Sequence, residues 1–246
     1  MKTIGIIPSR YESVRLPGKP LIDINGKSMV QRVFEQVSKA DLDKVVVATD
    51  DDRILQHVLS FGGQAMMTSK DHNNGTERCA EVIEKLEDEF DIAINIQGDE
   101  PYIHPEQINQ VNSLCKKEGV IIGTLIKKIE TIEELLDPDA IKKVVVNDQL
   151  EAIYFSRSPI PYLQGVKQAK WLEQQTYYKH IGIYGFKTKI LKKIVQLSPS
   201  KNELAESLEQ LRWLDNGLKI NTEITEHESP SVDTEKDLDL ARSFNP

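Results

Sequence analysis

The sequence predicts an α/β protein built on a mostly parallel sheet, and three observations carry that prediction. Short apolar runs of strand length recur through the first half of the chain. Each is followed by a segment whose apolar residues fall at helical spacing, and such alternation implies right-handed βαβ units. The first run, Ile4-Gly5-Ile6-Ile7, leads directly into a cation-bearing loop. That is the sheet edge at which open α/β folds place their ligands.

Taken in order, Ile4–Ile7 is a buried strand and Met29 to Ser38 the first amphipathic helix. Val45–Ala48 is the next strand, and Ile54, Leu55, Val58 and Leu59 mark a helix that Gly62-Gly63 stops. Ala65–Met67 is a short strand. Cys79, Val82, Ile83 and Leu86 share one helical stripe, and Ile92–Ile96 is a central strand. Ile108, Val111 and Leu114 mark a helix, and residues 120–126 a further strand. After about residue 137 the rhythm breaks. Val144–Val146 and Ala152–Phe155, separated by Asn147-Asp148, read as paired strands, and residues 162–176 as an exposed polar loop. Ile181–Phe186 is a strand leading into a helix, Leu208, Leu211 and Leu214 lie on a helix ended by Asn216-Gly217, and residues 220–224 form a last strand. Thr234 and Asp237 form a capping box with Asp in place of Glu. The organisation expected is one nucleotide-binding domain over 1–246, with a β-rich subdomain inserted at roughly 125–190.

Hydrophobic residues make up 39% of the 246 and charged residues 28%, enough apolar surface for a sizeable core. The net charge of -8 argues against a nucleic-acid polymer as partner, because phosphate tracks need a basic face. Cys79 and Cys115 form no C-x-x-C, so neither a zinc ribbon nor a redox motif is signalled. The amino-terminal apolar run is too short for a signal-peptide core, and no run approaches the ~20 residues of a membrane helix. The expectation is a soluble, cytoplasmic protein with no membrane partner.

The loop after the first strand carries Arg10, Arg15 and Lys19, stiffened by Pro17, Gly18 and Pro20. Three cations on such a loop suit a polyphosphate, though a solvated basic loop has the same composition. Neither G-x-G-x-x-G nor a P-loop follows the strand, so side chains must supply the charge a glycine cradle would otherwise replace. Gln97-Gly98-Asp99-Glu100-Pro101 closes the central strand at the same sheet edge. It can be a plain turn, but beside a triphosphate Asp99 suits a Mg²⁺ ion, which takes one or two carboxylates and fills its octahedron with phosphate and water. Asn74-Gly75-Thr76-Glu77-Arg78 opens a helix and presents free N–H groups. Asp233, just before the last helix, reads most simply as a helix cap. Arg157, His180 and Glu209 each read singly as a surface pair, a strand histidine and a solvated helix face. No histidine pair has zinc spacing, and no nucleophile elbow is present.

Pro8-Ser9-Arg10-Tyr11-Glu12-Ser13-Val14-Arg15-Leu16-Pro17-Gly18-Lys19-Pro20-Leu21 closely resembles the opening motif of the 3-deoxy-manno-octulosonate cytidylyltransferases, the CMP-Kdo synthetases of Gram-negative bacteria. Further motifs resemble that family in the expected order as far as Leu240. Ser9 and Glu12 stand where small residues are commoner, and residues 162–176 match nothing in it. The resemblance implies a Rossmann-like sheet sandwiched by helices, of the nucleotide-diphospho-sugar transferase type. It implies that CTP and Kdo give CMP-Kdo and pyrophosphate for lipopolysaccharide synthesis. Pro8, Ser9, Arg10, Arg15, Lys19, Gly75, Thr76, Arg78 and Gln97 would bind the nucleotide, and Arg10, Arg15, Lys19 and Asp99 would act in catalysis. Asp99 and Asp233 would hold Mg²⁺; the Val-Asp-Thr segment around Asp233, followed by Asp-Leu, matches the family's metal motif and displaces the helix-cap reading. Phe155-Ser156-Arg157, Lys179 to Tyr184 and Glu206 to Arg212 resemble its sugar-site segments. Arg157 would then take the sugar carboxylate, and His180, Tyr184, Glu209 and Gln210 its hydroxyls. A homodimer through the β-rich second half is also implied. A cytidylyltransferase for 8-amino-Kdo or a sialic acid, and a non-catalytic nucleotide- or sugar-binding regulator, remain open alternatives.

Overall fold

The structure is a computed structural model that describes residues 1–12, 15–87 and 89–243; Ser13 and Val14 of the opening motif lie outside the described residues. In chain order the strands are β1 (Thr3–Ser9), β2 (Asp23–Ile24), β3 (Lys27–Ser28), β4 (Lys44–Thr49), β5 (Ala65–Met67), β6 (Ile92–Asn95), β7 (Ile122–Lys128), β8 (Lys143–Val146), β9 (Ala152–Ser156), β10 (Tyr178–Lys187) and β11 (Asn221–Ile224). The helices are α1 (Met29–Val37), α2 (Asp52–Ser60), α3 (Gly75–Lys85), α4 (Pro105–Lys116), α5 (Ile132–Leu136), α6 (Trp171–Gln174), α7 (Thr188–Ile194), α8 (Lys201–Glu206), α9 (Gln210–Asp215) and α10 (Glu235–Ser243).

The main sheet runs β11-β7-β10-β6-β1-β4-β5. β5, β4, β1 and β6 pair in parallel, as do β7 and β11, while β10 lies antiparallel to both β6 and β7. The α/β, mostly parallel expectation therefore holds. β2 and β3 form a separate two-stranded antiparallel sheet. Within 125–190, β10 is an interior strand of the main sheet, and the antiparallel β8–β9 pair joins that sheet through β10.

Alternation along the strands builds the two cores. Ile4 and Ile6 of β1 face α3 and α7, meeting Cys79, Val82, Leu191 and Phe186. Ile7 belongs to the opposite layer with Val33 of α1, Val58 of α2 and Val111 of α4. A smaller cluster matters more for function: Leu16, Met29, Tyr102, Val232 and Leu238 bring the opening loop, the segment after β6 and the carboxy-terminal segment together. Full burial of Val232, worth about 1.5–3 kcal/mol, fixes the backbone that carries Asp233. The capping box at α10 forms as its residues predict, with Thr234 N donating to Asp237 Oδ2 (2.8 Å) and Asp237 N to Thr234 Oγ1 (3.3 Å).

Two sequence expectations need correction. The strand expected at 120–126 starts at Ile122, because Val120 N closes a turn onto Lys117 O (3.4 Å). Residues 162–176 are not wholly exposed. A 3₁₀ turn (Gln168–Lys170) leads into α6, and Trp171 is buried against Tyr177 with its Nε1 donating to Val166 O (3.0 Å). A polar window average hides one large aromatic ring that needs cover.

Candidate active site

β1 ends at Ser9 and its parallel neighbour β6 at Asn95, and a cavity of about 500 Å³ opens where they stop. The loop after β6 must pass very close to β1. A Cβ on Gly98 would sit 2.6 Å from Pro8 O and 3.0 Å from Ser9 Oγ, so only glycine fits and Asp99 is carried to the rim. On the other side Gly18 takes φ 68° with its α-carbon against the Tyr11 ring, turning the chain into the 3₁₀ helix that starts at Lys19. Tyr11 is itself covered by the Arg53 guanidinium, 3.3 Å from the ring centroid, and Arg53 is held by both oxygens of Asp51, the α2 cap. The cationic loop is thus pinned to the start of α2.

At the cavity's charged end, Lys19 Nζ donates to Asp99 Oδ2 (2.7 Å) and Asp233 Oδ1 (2.9 Å). Arg15 pairs with the same Asp233 oxygen at 3.0 Å. The two acids meet because Val232 N donates to Asp99 O (2.9 Å), and Ser229 Oγ ties the preceding residues to Tyr102 O and Gln107 Oε1. Two hard carboxylates converging on one cation fit a divalent ion completed by phosphate and water, so Asp99 and Asp233 suit Mg²⁺. Arg10, Pro8 and Ser9 line the same cavity.

Gly75, Thr76, Arg78 and Gln97 line the cavity as well. Asn74 caps α3 by accepting from Glu77 N (2.9 Å), which leaves Gly75 at the helix start. Arg78 is buried and its guanidinium is committed to Asp50 Oδ2 (2.7 Å) and Thr68 Oγ1 (2.5 Å). Gln97 Nε2 donates to Gly182 O (3.1 Å). That carbonyl sits on a bulge of β10: Ile181 faces Leu125 and Tyr184 faces Thr124, so two residues of β10 stand out of register.

Tyr184 and Glu209 also line the cavity. Burial raises the Glu209 carboxyl to about 7, against the lowering effect of the Thr76 Oγ1 donation at 2.8 Å. Burial also raises the Tyr184 phenol well above its ordinary value, so it stays a donor. Arg157, His180 and Gln210 do not line this cavity. Arg157 Nε donates to Glu206 O (2.7 Å) and its NH1 to Pro138 O (3.3 Å). His180 lies one ring behind, 5.0 Å from Tyr184, with Nε2 3.0 Å from Thr124 Oγ1. Burial lowers His180 to about 3, so it is neutral. Gln210 is buried in the first turn of α9.

The cytidylyltransferase family model matches residues 4–220. A 3-deoxy-manno-octulosonate cytidylyltransferase of Parabacteroides distasonis is 52% identical, with 99% of this chain and 98% of that one aligned. The chain belongs to that family. Another member, from Cytophaga hutchinsonii, is also 52% identical over 96% of this chain and 94% of its own. The solved structure of a CMP:2-keto-3-deoxy-manno-octonic acid synthetase complexed with CTP superimposes with a TM-score of 0.91 at 43% identity, covering 99% and 98% of the two chains. The family and the Rossmann-like fold expected from the opening motif therefore hold. No helix among the described residues is long and apolar enough to cross a membrane.

Several cavity residues of this family member escaped the sequence reading. His72, set aside for want of zinc spacing, lines the cavity and pairs with Glu81. Asn95 lines it too, and its signal was present: it is the one polar residue in Ile92-Ala93-Ile94-Asn95-Ile96.

Proposed function

We propose that this cytidylyltransferase joins CTP to Kdo, releasing pyrophosphate and forming CMP-Kdo for lipopolysaccharide synthesis. The observation that carries the proposal is the division of one cavity. Arg15, Lys19, Asp99 and Asp233 meet in one ion-paired cluster, and Tyr184 and Glu209 line the same cavity outside it. The anomeric oxygen of the sugar bonds to the α-phosphorus while the bond to the pyrophosphate oxygen breaks, and the hydroxyl proton passes to water. Such transfer depends on positioning and charge neutralisation.

Arg10, Arg15 and Lys19 hold the β- and γ-phosphates, as guanidinium forks and a point charge respectively. When the triphosphate takes Lys19, the ammonium leaves the two carboxylates, and Asp99 and Asp233 become available to Mg²⁺. The bound ion supplies charge neutralisation at the α-phosphate and lowers the pKa of the attacking hydroxyl. Gly75 and Thr76 present the start of α3 to the nucleoside, and Arg78, fixed by Asp50 and Thr68, holds that helix start against the neighbouring loop. Tyr184 donates to a sugar hydroxyl, and Glu209, titrating near neutrality, can donate or accept. Arg157, His180 and Gln210 support the sugar end from behind the cavity wall.

The enzyme works in the cytoplasm, in keeping with two free, buried cysteines. It works as a homodimer, with Ile153 exposed on β9, a strand whose ladder partner is β8; sedimentation giving only the single-chain mass rejects the dimer. Pyrophosphate release from CTP with Kdo, 8-amino-Kdo and a sialic acid, with and without Mg²⁺, tests the function. Release is expected with Kdo and Mg²⁺; preference for another acid, or release with none, overturns it.

A further inference from the structure

Asn95 sits where a strand of this sheet has no use for a carboxamide. It ends β6 at the centre of the sheet, in register with Ile6 of β1 on one side and Tyr184 of β10 on the other. Its chain neighbours are Ile94 and Ile96, both fully buried. Asn95 is only 5% exposed, yet its Oδ1 accepts no hydrogen bond from any described residue. Burying an amide acceptor unmet is costly, so a group that serves only the core would be apolar here. The side chain lines the cavity. It lies beneath the start of α3, its Nδ2 3.5 Å from where a Cβ on Gly75 would stand.

Two other buried oxygens that line the cavity also lack a protein partner, Ser9 Oγ and Tyr184 OH. All three groups are neutral, and all can both donate and accept through their side chains. A phosphate would use only the Nδ2 side of the amide, and the cations that suit phosphate, Arg15 and Lys19, gather at Asp233. A hydroxyl uses both sides, donating to Oδ1 or accepting from Nδ2. We propose that Asn95 contacts substrate directly, its carboxamide taking a hydroxyl of one of the two sugar rings that enter the cavity, the ribose of CTP or the acidic sugar. This inference rests on the cytidylyltransferase reading and adds a residue to its substrate contacts.

The test is Asn95→Leu, which keeps the size and removes the polar atoms, with Asn95→Ser as a second variant should the leucine fail to fold. Pyrophosphate release by the parent enzyme is the control, and its failure rejects the function rather than the role of Asn95. The expected result is a melting temperature unchanged or raised, with KM for one substrate up roughly tenfold, the scale of one buried hydrogen bond. A ribose contact appears as parental discrimination between CTP and its 2′- or 3′-deoxy analogue that the variant loses. A contact to the acidic sugar appears as a rise in that sugar's KM alone. Parental constants for both substrates overturn the proposal. So does a loss on CTP repeated in full on both deoxynucleotides, since that places the amide on the base.

Discussion

The charged and the neutral groups of the cavity solve opposite problems. In the charged cluster Lys19 spans Asp99 and Asp233 and Arg15 shares the latter, while Arg10 stands exposed beside them. The neutral groups Ser9, Asn95 and Tyr184 keep buried oxygens without partners. The difference follows from the cost of burial. An unpaired charge in a half-buried cleft costs far more than an unpaired hydroxyl or amide. Ions are therefore stored in exchangeable pairs, while neutral groups can wait. For the charged groups substrate binding is an exchange of partners, and for the neutral ones a gain of partners.

The largest expected effect breaks the exchange. Asp99→Asn and Lys19→Ala should each lower turnover by on the order of 10²-fold or more, the scale of losing one preorganised charge contact. Near-parental turnover in either variant at saturating substrate removes that residue from the mechanism. The second sharpens the neutral side of the comparison through Glu209. Its carboxyl, raised from 4.5 to about 7 by burial, holds a proton that the unfolded chain has already released. Stability from this group is present below about pH 4.5 and is lost as pH rises to about 7. Glu209→Gln should remove that decline, gaining on the order of 1–3 kcal/mol relative to the parent between pH 5 and pH 8 in denaturant melts. Equal pH slopes for the two proteins would contradict the burial argument.

The smallest effect concerns how the charged loop is held. Arg53→Ala removes the guanidinium from the Tyr11 ring, a cation–π contact at a solvent-exposed site. The loop should be presented less often in its binding form, so KM for CTP should rise by roughly 2- to 5-fold with kcat little changed. An unchanged KM would mean the loop is held elsewhere, through Gly18 and Leu16.

Much of this was legible in the residues. Ile4–Ile7, Val45–Ala48 and Ile92–Ile96 announce buried parallel strands, and the loop from Arg10 to Lys19 announces an anion site. Asp233 was not legible from pattern alone, because an acid before a helix is usually a cap. It joins Asp99 only through the Val232 N to Asp99 O bond and the buried Val232 side chain, which are tertiary facts. Asn95 was hidden for the reverse reason: one amide in a strand forms no motif. The Arg157 side chain lies along Glu206 O and Pro138 O, a local choice that no spacing encodes.

The account turns on two distant acids acting on one divalent ion. Turnover measured against Mg²⁺ concentration in the parent and in Asp233→Asn tests this most directly. The account predicts that the parent saturates while the variant needs roughly tenfold more Mg²⁺ or beyond, a loss of about 1.4 kcal/mol in ion binding, and stays below parental turnover. Superimposable Mg²⁺ curves for the two proteins would contradict it.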